Sequence, residues 1–158
     1  MGKKMIIFIG AIIVLFIALF FVIDYKNNQK LEGSNNPYGT TDLKQETIDQ
    51  LDDPNYGNQI LPDELNEKIE SGEPVTVYFY SPTCVYCQQT TPYLVPLAEE
   101  NNIDMKKFNL WEFGDKSPVV IESTPTMVYF EGGQEVARIV GQQPESEFQA
   151  FFDEFVLK

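Results

Sequence analysis

Histidine is absent from the 158 residues, cysteine occurs twice, tryptophan once, and 11 basic residues stand against 24 acidic ones. With no histidine, imidazole acid–base catalysis and histidine-ligated metal are excluded. Two cysteines are too few for a four-ligand structural zinc within one chain, so neither a metal nor another cofactor is expected. The formal net charge of −13 argues against nucleic acid or anionic lipid surfaces as partners. The acids are spread evenly, which is the pattern of a solvated surface rather than of a binding site.

Charge is missing altogether from Met5 to Ile23, nineteen consecutive apolar or small residues. As a helix they would span roughly 28 Å, about the hydrocarbon thickness of a bilayer. The run is longer than the core of a usual signal peptide, and no small-x-small cleavage site precedes Asp24-Tyr25-Lys26. The sequence therefore predicts a single-pass anchor in preference to a cleaved signal. Lys3 and Lys4 are nearly balanced by Lys26 and Lys30; the terminal amine tips the balance, and the expected orientation leaves the long acidic remainder outside the cytoplasm.

The division that follows is a cytoplasmic N-terminus at 1–4, a transmembrane anchor at 5–23, a linker at 24–56 and a folded domain at 57–158. The linker is rich in Asn, Asp, Gln, Gly and Lys, a composition that tethers rather than folds. Within it, Leu43 to Leu51 reads either as a short, loosely docked helix or as disorder.

The chemistry centres on Val75 to Thr91. Val75 through Tyr80 are all β-branched or aromatic, the composition of a strand buried on both faces. Ser81-Pro82-Thr83 stops the strand, and from Val85 the apolar residues Tyr86, Tyr93, Leu94 and Leu97 fall near helical spacing. Cys84 and Cys87, the only cysteines, thus sit where a strand becomes a helix. Unpaired N–H groups and partial positive charge at a helix start favour a thiolate, and Cys84 is placed to benefit. Cys87, one turn further in, is close enough to attack a mixed disulfide formed at Cys84. A purely structural staple would close a tiny loop and constrain the unfolded chain little.

Around this centre the chain predicts a short edge strand at Asn58–Leu61, a helix from Pro62 ended by Ser71-Gly72-Glu73-Pro74, and a cysteine helix reaching about Asn101 with a bend near Pro92. A strand parallel to the first is expected at Ile103–Leu110, then an irregular stretch from Trp111 to Ile121 with room for one helical turn. A hairpin pairs Thr126–Phe130 with Glu135–Val140 through Glu131-Gly132-Gly133-Gln134, and a helix at Pro144–Val156 carries Phe148, Phe151, Phe152 and Phe155. Packing is the expected role of Trp111, as it is of Tyr78, Phe79 and Tyr80.

Four features together carry a family resemblance: the strand before Cys84-Val85-Tyr86-Cys87, a proline five residues beyond the second cysteine, Thr124-Pro125-Thr126 opening a strand, and Val140-Gly141 before the last helix. From about Asn58 to Lys158 the chain resembles a thioredoxin-fold thiol–disulfide oxidoreductase of the membrane-anchored bacterial type. The resemblance implies an α/β thioredoxin-like fold, a central mixed sheet flanked by helices and preceded by one transmembrane helix. It implies that Cys84 is the nucleophile, Cys87 the resolving cysteine and Pro125 a cis proline, with the backbone of Thr124 pairing with substrate. Val85 and Tyr86 lie where thioredoxin has Gly-Pro and would tune the potential; a tyrosine at the second inner position is similar to glutaredoxins. Six residues before the first cysteine, where thioredoxins carry a buried carboxylate, stands Tyr78, so water or a carboxylate such as Glu122 would have to accept the resolving thiol's proton.

The function expected on this basis is reduction of protein disulfides outside the cytosol, with electrons resupplied by a membrane partner, since an anchored dithiol beside a membrane carrier gains effective concentration. Alternatives are a disulfide oxidant or isomerase, a non-catalytic binding module for a secreted partner, and an iron–sulfur cluster shared between two chains.

Overall fold

The computed structural model describes residues 2–33 and 36–158. The chain divides into two compact units, Met1–Thr41 and Asp42–Lys158. The first is dominated by α1 (Lys3–Glu32), an apolar helix long enough to cross a membrane, none of whose apolar window is buried. The helix does not stop where the apolar run does. Asp24 to Glu32 continue it as a polar extension, with Asn28 donating to Asp24 at 3.4 Å and Gln29 to Tyr25 at 2.8 Å, one turn apart in each case.

The second unit is built on a four-stranded sheet in the order β2-β1-β3-β4. Its first strand, β1 (Val75–Tyr80), is buried at all six positions. It pairs in parallel with β2 (Met105–Asn109) and antiparallel with β3 (Thr126–Glu131), which pairs antiparallel with β4 (Gln134–Val140). The alternation of β1 assigns its faces. Val75, Val77 and Phe79 join Ile60, Leu65, Phe108, Val128 and Phe130 in one cluster. Tyr78 and Tyr80 join Cys87, Leu94, Met127, Phe148 and Phe152 in the other. The mixed sheet is thus flanked on both sides, the arrangement of a thioredoxin-like fold.

Helix α3 (Pro62–Ser71) covers the first face. Pro62 sits where its missing N–H is not needed, Asp63 and Glu64 complement the positive end, and Gly72 closes the helix at φ 78°, a left-handed backbone that favours glycine. Helix α4 (Val85–Glu100) and α6 (Glu145–Phe151) cover the other face. Pro92 and Pro96 lie inside α4, which continues through both as one helix. The carbonyl of Cys87 in the turn before Pro92 accepts the Thr91 hydroxyl at 2.7 Å. After α6 the chain winds on as a π-helical turn over Phe152–Val156, where the sequence reads as continuous α-helix; the change coincides with two consecutive buried rings, Phe151 and Phe152.

One expected element differs. Residues 58–61 do not form a strand: one parallel bridge joins Gln59 to Lys107, supported by Ile60 N–H to the Lys107 carbonyl at 2.9 Å and Lys107 N–H to the Asn58 carbonyl at 3.0 Å. Asn58 has φ 54° and Pro62 already begins α3, so no room remains for an extended run. The irregular stretch after β2 contains a one-turn helix α5 (Leu110–Phe113) and a 3-10 turn at Gly114–Lys116.

Residues 42–56, read from composition as the end of a linker, belong to the second unit. They contain α2 (Gln45–Gln50) and a 3-10 turn at Pro54–Tyr56. Thr47 and Ile48 are buried. Asn109 donates to the Thr47 hydroxyl at 3.2 Å, Trp111 Nε1 to Glu46 at 3.2 Å, and the Lys44 N–H to Glu112 at 2.9 Å. Lys44 Nζ also donates to the Trp111 carbonyl and lies 4.7 Å from the centroid of its ring. This segment is a strap fastened to the end of β2 and to α5.

If the strap is part of the domain, Ile48→Ala should destabilise the 42–158 unit by roughly 2–3 kcal/mol, as truncation of a buried isoleucine does. Urea unfolding followed by the fluorescence of Trp111 measures it. An unchanged midpoint would make residues 42–56 a tether after all.

Candidate active site

The site forms where β1 ends. Ser81 accepts the Cys84 N–H at 3.1 Å through its carbonyl, and its hydroxyl lies 2.9 Å from that of Thr83; Gln88 reaches back to the Pro82 carbonyl at 2.7 Å. This tight turn delivers Cys84 as the N-cap of α4, with its sulfur accepting the N–H of Cys87 at 3.3 Å. A sulfur thus performs the task that an oxygen performs in an ordinary cap. The Cys84 thiol also donates to the Thr124 carbonyl at 3.3 Å. Both cysteines are free thiols: Cys84 is partly exposed and Cys87 fully buried.

Their surroundings push the two thiols apart. Burial works to raise Cys84, but hydrogen bonding with Cys87 and Thr124 and with the backbone N–H groups of Cys87 and Tyr86 outweighs it, and the net shift is downward. Burial, with the bond to Cys84 and the charge of Cys84, pushes Cys87 up to about 12 against the pull of the Ser81 backbone and Thr124. One sulfur is poised to be a thiolate, the other to stay a thiol.

The remaining residues singled out from sequence fall as follows. Val85 and Tyr86 are well exposed on the first turn of α4. The Thr124–Pro125 bond is cis, and the Pro125 carbonyl accepts the Gly141 N–H at 2.7 Å, which ties the end of β4 to the start of β3. Glu122 is not brought to Cys87: it is exposed, and its charge acts on Arg138, which pairs with Glu135 at 2.5 Å and donates to the Val120 carbonyl at 3.2 Å. The strongest influences on Cys87 include no carboxylate, so of the two acceptors expected, water or Glu122, the site favours water. Tyr78 is buried as expected, yet it is more than packing, for its hydroxyl lies 3.2 Å from that of Thr91.

Three residues of this neighbourhood escaped the sequence reading. Tyr56 belongs to the strap and packs on Tyr80 with ring centroids 5.3 Å apart. Thr91 lies among ordinary helix residues. Lys107 is only 4 % exposed, and burial lowers it to about 8, with Glu99 and Asp104 acting against that shift and Lys106 with it. Lys107 stands opposite Tyr78 in the β1–β2 register. Period-two alternation through Met105 would have placed it inward; nothing in the composition around Tyr56 would have done so.

A family model described as thioredoxin matches residues 58–154. A thioredoxin of Porphyra purpurea is 25% identical over 117 residues, covering 70% of this chain and 98% of its own. Thioredoxin 1 of Nostoc sp. is 34% identical over 87 residues, covering 51% of this chain and 78% of its own. Among solved structures, thioredoxin f2 of Chlamydomonas reinhardtii superposes with a TM-score of 0.50 at 24% identity, covering 60% of this chain and 93% of that one. It shares the fold.

Because a lowered pKa brings the thiolate in at lower pH, iodoacetamide at neutral pH should modify Cys84 in the reduced protein and spare Cys87. Mapped by peptide mass spectrometry across pH, Cys84 should show a midpoint below that of an ordinary thiol and well below that of Cys87. Equal labelling of the two thiols would contradict the asymmetry.

Proposed function

The chain belongs to the thioredoxin family, and from that premise we propose that it is a membrane-anchored thiol–disulfide oxidoreductase that reduces disulfides of proteins outside the cytoplasm. The observation that carries this reading is the pairing of a partly exposed Cys84 at the start of α4 with a buried Cys87 one turn on. In the proposed reaction the Cys84 thiolate attacks one sulfur of a substrate disulfide, and the other leaves as a thiolate. Cys87 then loses its proton and attacks Cys84 Sγ. The mixed disulfide breaks, the second substrate sulfur departs, and a Cys84–Cys87 disulfide remains. Two electrons have passed to the substrate, which takes up two protons from solvent.

Thr124 and Pro125 line the approach to Cys84 in this reading, the Thr124 backbone pairing with an extended segment of substrate once the Cys84 thiol no longer engages its carbonyl. Val85 and Tyr86 meet the substrate at the exposed tip of the helix and help set the potential. In this reading residues 1–4 remain in the cytoplasm and 5–23 cross the membrane as part of α1. A dithiol working there must be re-reduced, and a membrane electron carrier is the partner we assign to that step.

One observation favours a second reading. Hydrogen bonds that lower the Cys84 pKa stabilise the reduced form, which raises a couple's potential and makes its disulfide a better oxidant. An oxidant or isomerase would use the same residues in the opposite direction.

Equilibration of the Cys84–Cys87 pair with glutathione separates the two. A reductant should lie near about −270 mV, whereas a value near about −120 mV would overturn the assigned direction. For topology, a membrane-impermeant maleimide applied to intact cells should label Cys84 after gentle reduction; labelling only after lysis would place the domain in the cytoplasm.

A further inference from the structure

The loop between β4 and α6 leaves the sheet beside the reactive sulfur and forms one side of a cleft. Its first residue, Gly141, donates its N–H to the Pro125 carbonyl at 2.7 Å, and the adjoining Thr124 carbonyl is the one that meets Cys84 at 3.3 Å. The cleft, about 570 Å³, is lined by Tyr93 of α4 and by Gln142, Gln143, Pro144 and Glu145. An extended segment paired with the Thr124 backbone therefore has the cleft within a few residues of its cysteine.

The walls are braced from within the fold. The Tyr93 hydroxyl donates to the Gln143 carbonyl at 2.6 Å, and the Gln143 amide to the Val140 carbonyl at 3.0 Å. The Tyr93 ring lies against Phe148, with centroids 6.3 Å apart. Glu145 stands exposed in the first turn of α6, and among the described residues no lysine or arginine pairs with it. Its carboxylate complements the positive end of that helix, a role that asks nothing of a substrate. Charge on the lining segments goes further: neither α4 nor residues 141–156 contain a lysine or arginine, while Glu99, Glu100, Glu145, Glu147, Asp153 and Glu154 lie on them. A half-buried aromatic ring and an unpaired carboxylate sharing one cleft suit a lysine or arginine side chain, the ring taking the apolar stem and the carboxylate the charged head.

We propose that Glu145 is a specificity-determining residue, selecting disulfide substrates that carry a lysine or arginine a few residues from the reacting cysteine. The inference rests on the exchange reaction proposed above and narrows its substrates to cationic segments. The net charge of −13 draws such segments in from a distance, and the cleft gives the preference a fixed register relative to Cys84.

The test uses the reduced full chain in detergent and peptides whose single cysteine is disulfide-bonded to a coloured aryl thiol. The Cys84 thiolate attacks the peptide sulfur, the S–S bond breaks and the aryl thiolate leaves with the electron pair. Cys87 then loses its proton to solvent, attacks Cys84 and frees the peptide thiolate, which is protonated from solvent. Lysine, glutamine or glutamate is placed in turn at each position about two to five residues from the cysteine, on either side. At one of these positions lysine should release colour about fivefold faster than glutamine, the effect of one exposed ion pair, and added salt should shrink the difference. Glu145→Gln should abolish that difference, and Glu145→Lys should turn the preference toward glutamate. Glu131→Gln removes the same charge at the opposite end of β3 and should leave the preference for lysine as it is. Lysine and glutamine reacting alike at every position, a preference that survives Glu145→Gln, or one that Glu131→Gln lowers as much, overturns the inference and leaves the exchange reading standing. A wild-type chain that releases no colour from any peptide overturns the exchange reading and this inference with it.

Discussion

The N–H of Cys87 meets the sulfur of Cys84 at 3.3 Å because α4 begins at Val85, and α4 begins there because β1 cannot extend beyond Tyr80. Six residues buried on both faces fix β1 in the middle of the sheet, and Pro82 in the following turn lacks the N–H a further ladder bond would require. The chain must leave the sheet at that point. It leaves as a tight turn into a helix whose free N–H groups would otherwise lack partners, and the first side chain able to satisfy them is a sulfur. The polarisation of Cys84 is in this sense a consequence of strand burial, transmitted over four residues.

The same burial separates the two thiols. One helical turn carries Cys87 from the rim into the cluster of Tyr78, Leu94, Met127 and Phe148, where a charged sulfur loses its hydration. A residue at the cap and a residue three positions later therefore experience opposite electrostatics, with burial the largest cause at Cys87 and the charge of Cys84 a smaller one. The sheet contributes again through β3: Pro125 is held to Gly141 by a backbone bond, and this places the Thr124 carbonyl against Cys84.

Much of this was legible in the sequence, because it rests on local signals. The β-branched and aromatic run of β1, the Ser-Pro-Thr stop, the spacing of the cysteines and the Glu131–Gln134 hairpin connection each act over a few residues and need no tertiary information. What escaped depends on contacts far apart in sequence. The strap at 42–56 has too few large apolar residues to announce itself, and it is held by polar and aromatic contacts with Asn109, Trp111 and Glu112, some 60 positions on, which periodicity cannot reveal. The expected strand at 58–61 failed for a backbone reason, a left-handed Asn58 beside a proline-started helix. Glu122, offered beside water as an acceptor on chemistry alone, is exposed, and its charge acts on Arg138.

The separation of the two thiols bears on direction. Converting the disulfide to the dithiol adds two electrons and, below the Cys84 pKa, two protons; above it one proton suffices until Cys87 ionises at about 12. The potential therefore falls by about 59 mV per pH unit in the first range and by about half that in the second. Through the neutral region Cys87 enters only as a thiol, whichever groups later stabilise its thiolate in passing. How strongly the cap of α4 holds the Cys84 thiolate thus sets the pH at which the slope changes, and the burial of Cys87 keeps the second change far above neutrality.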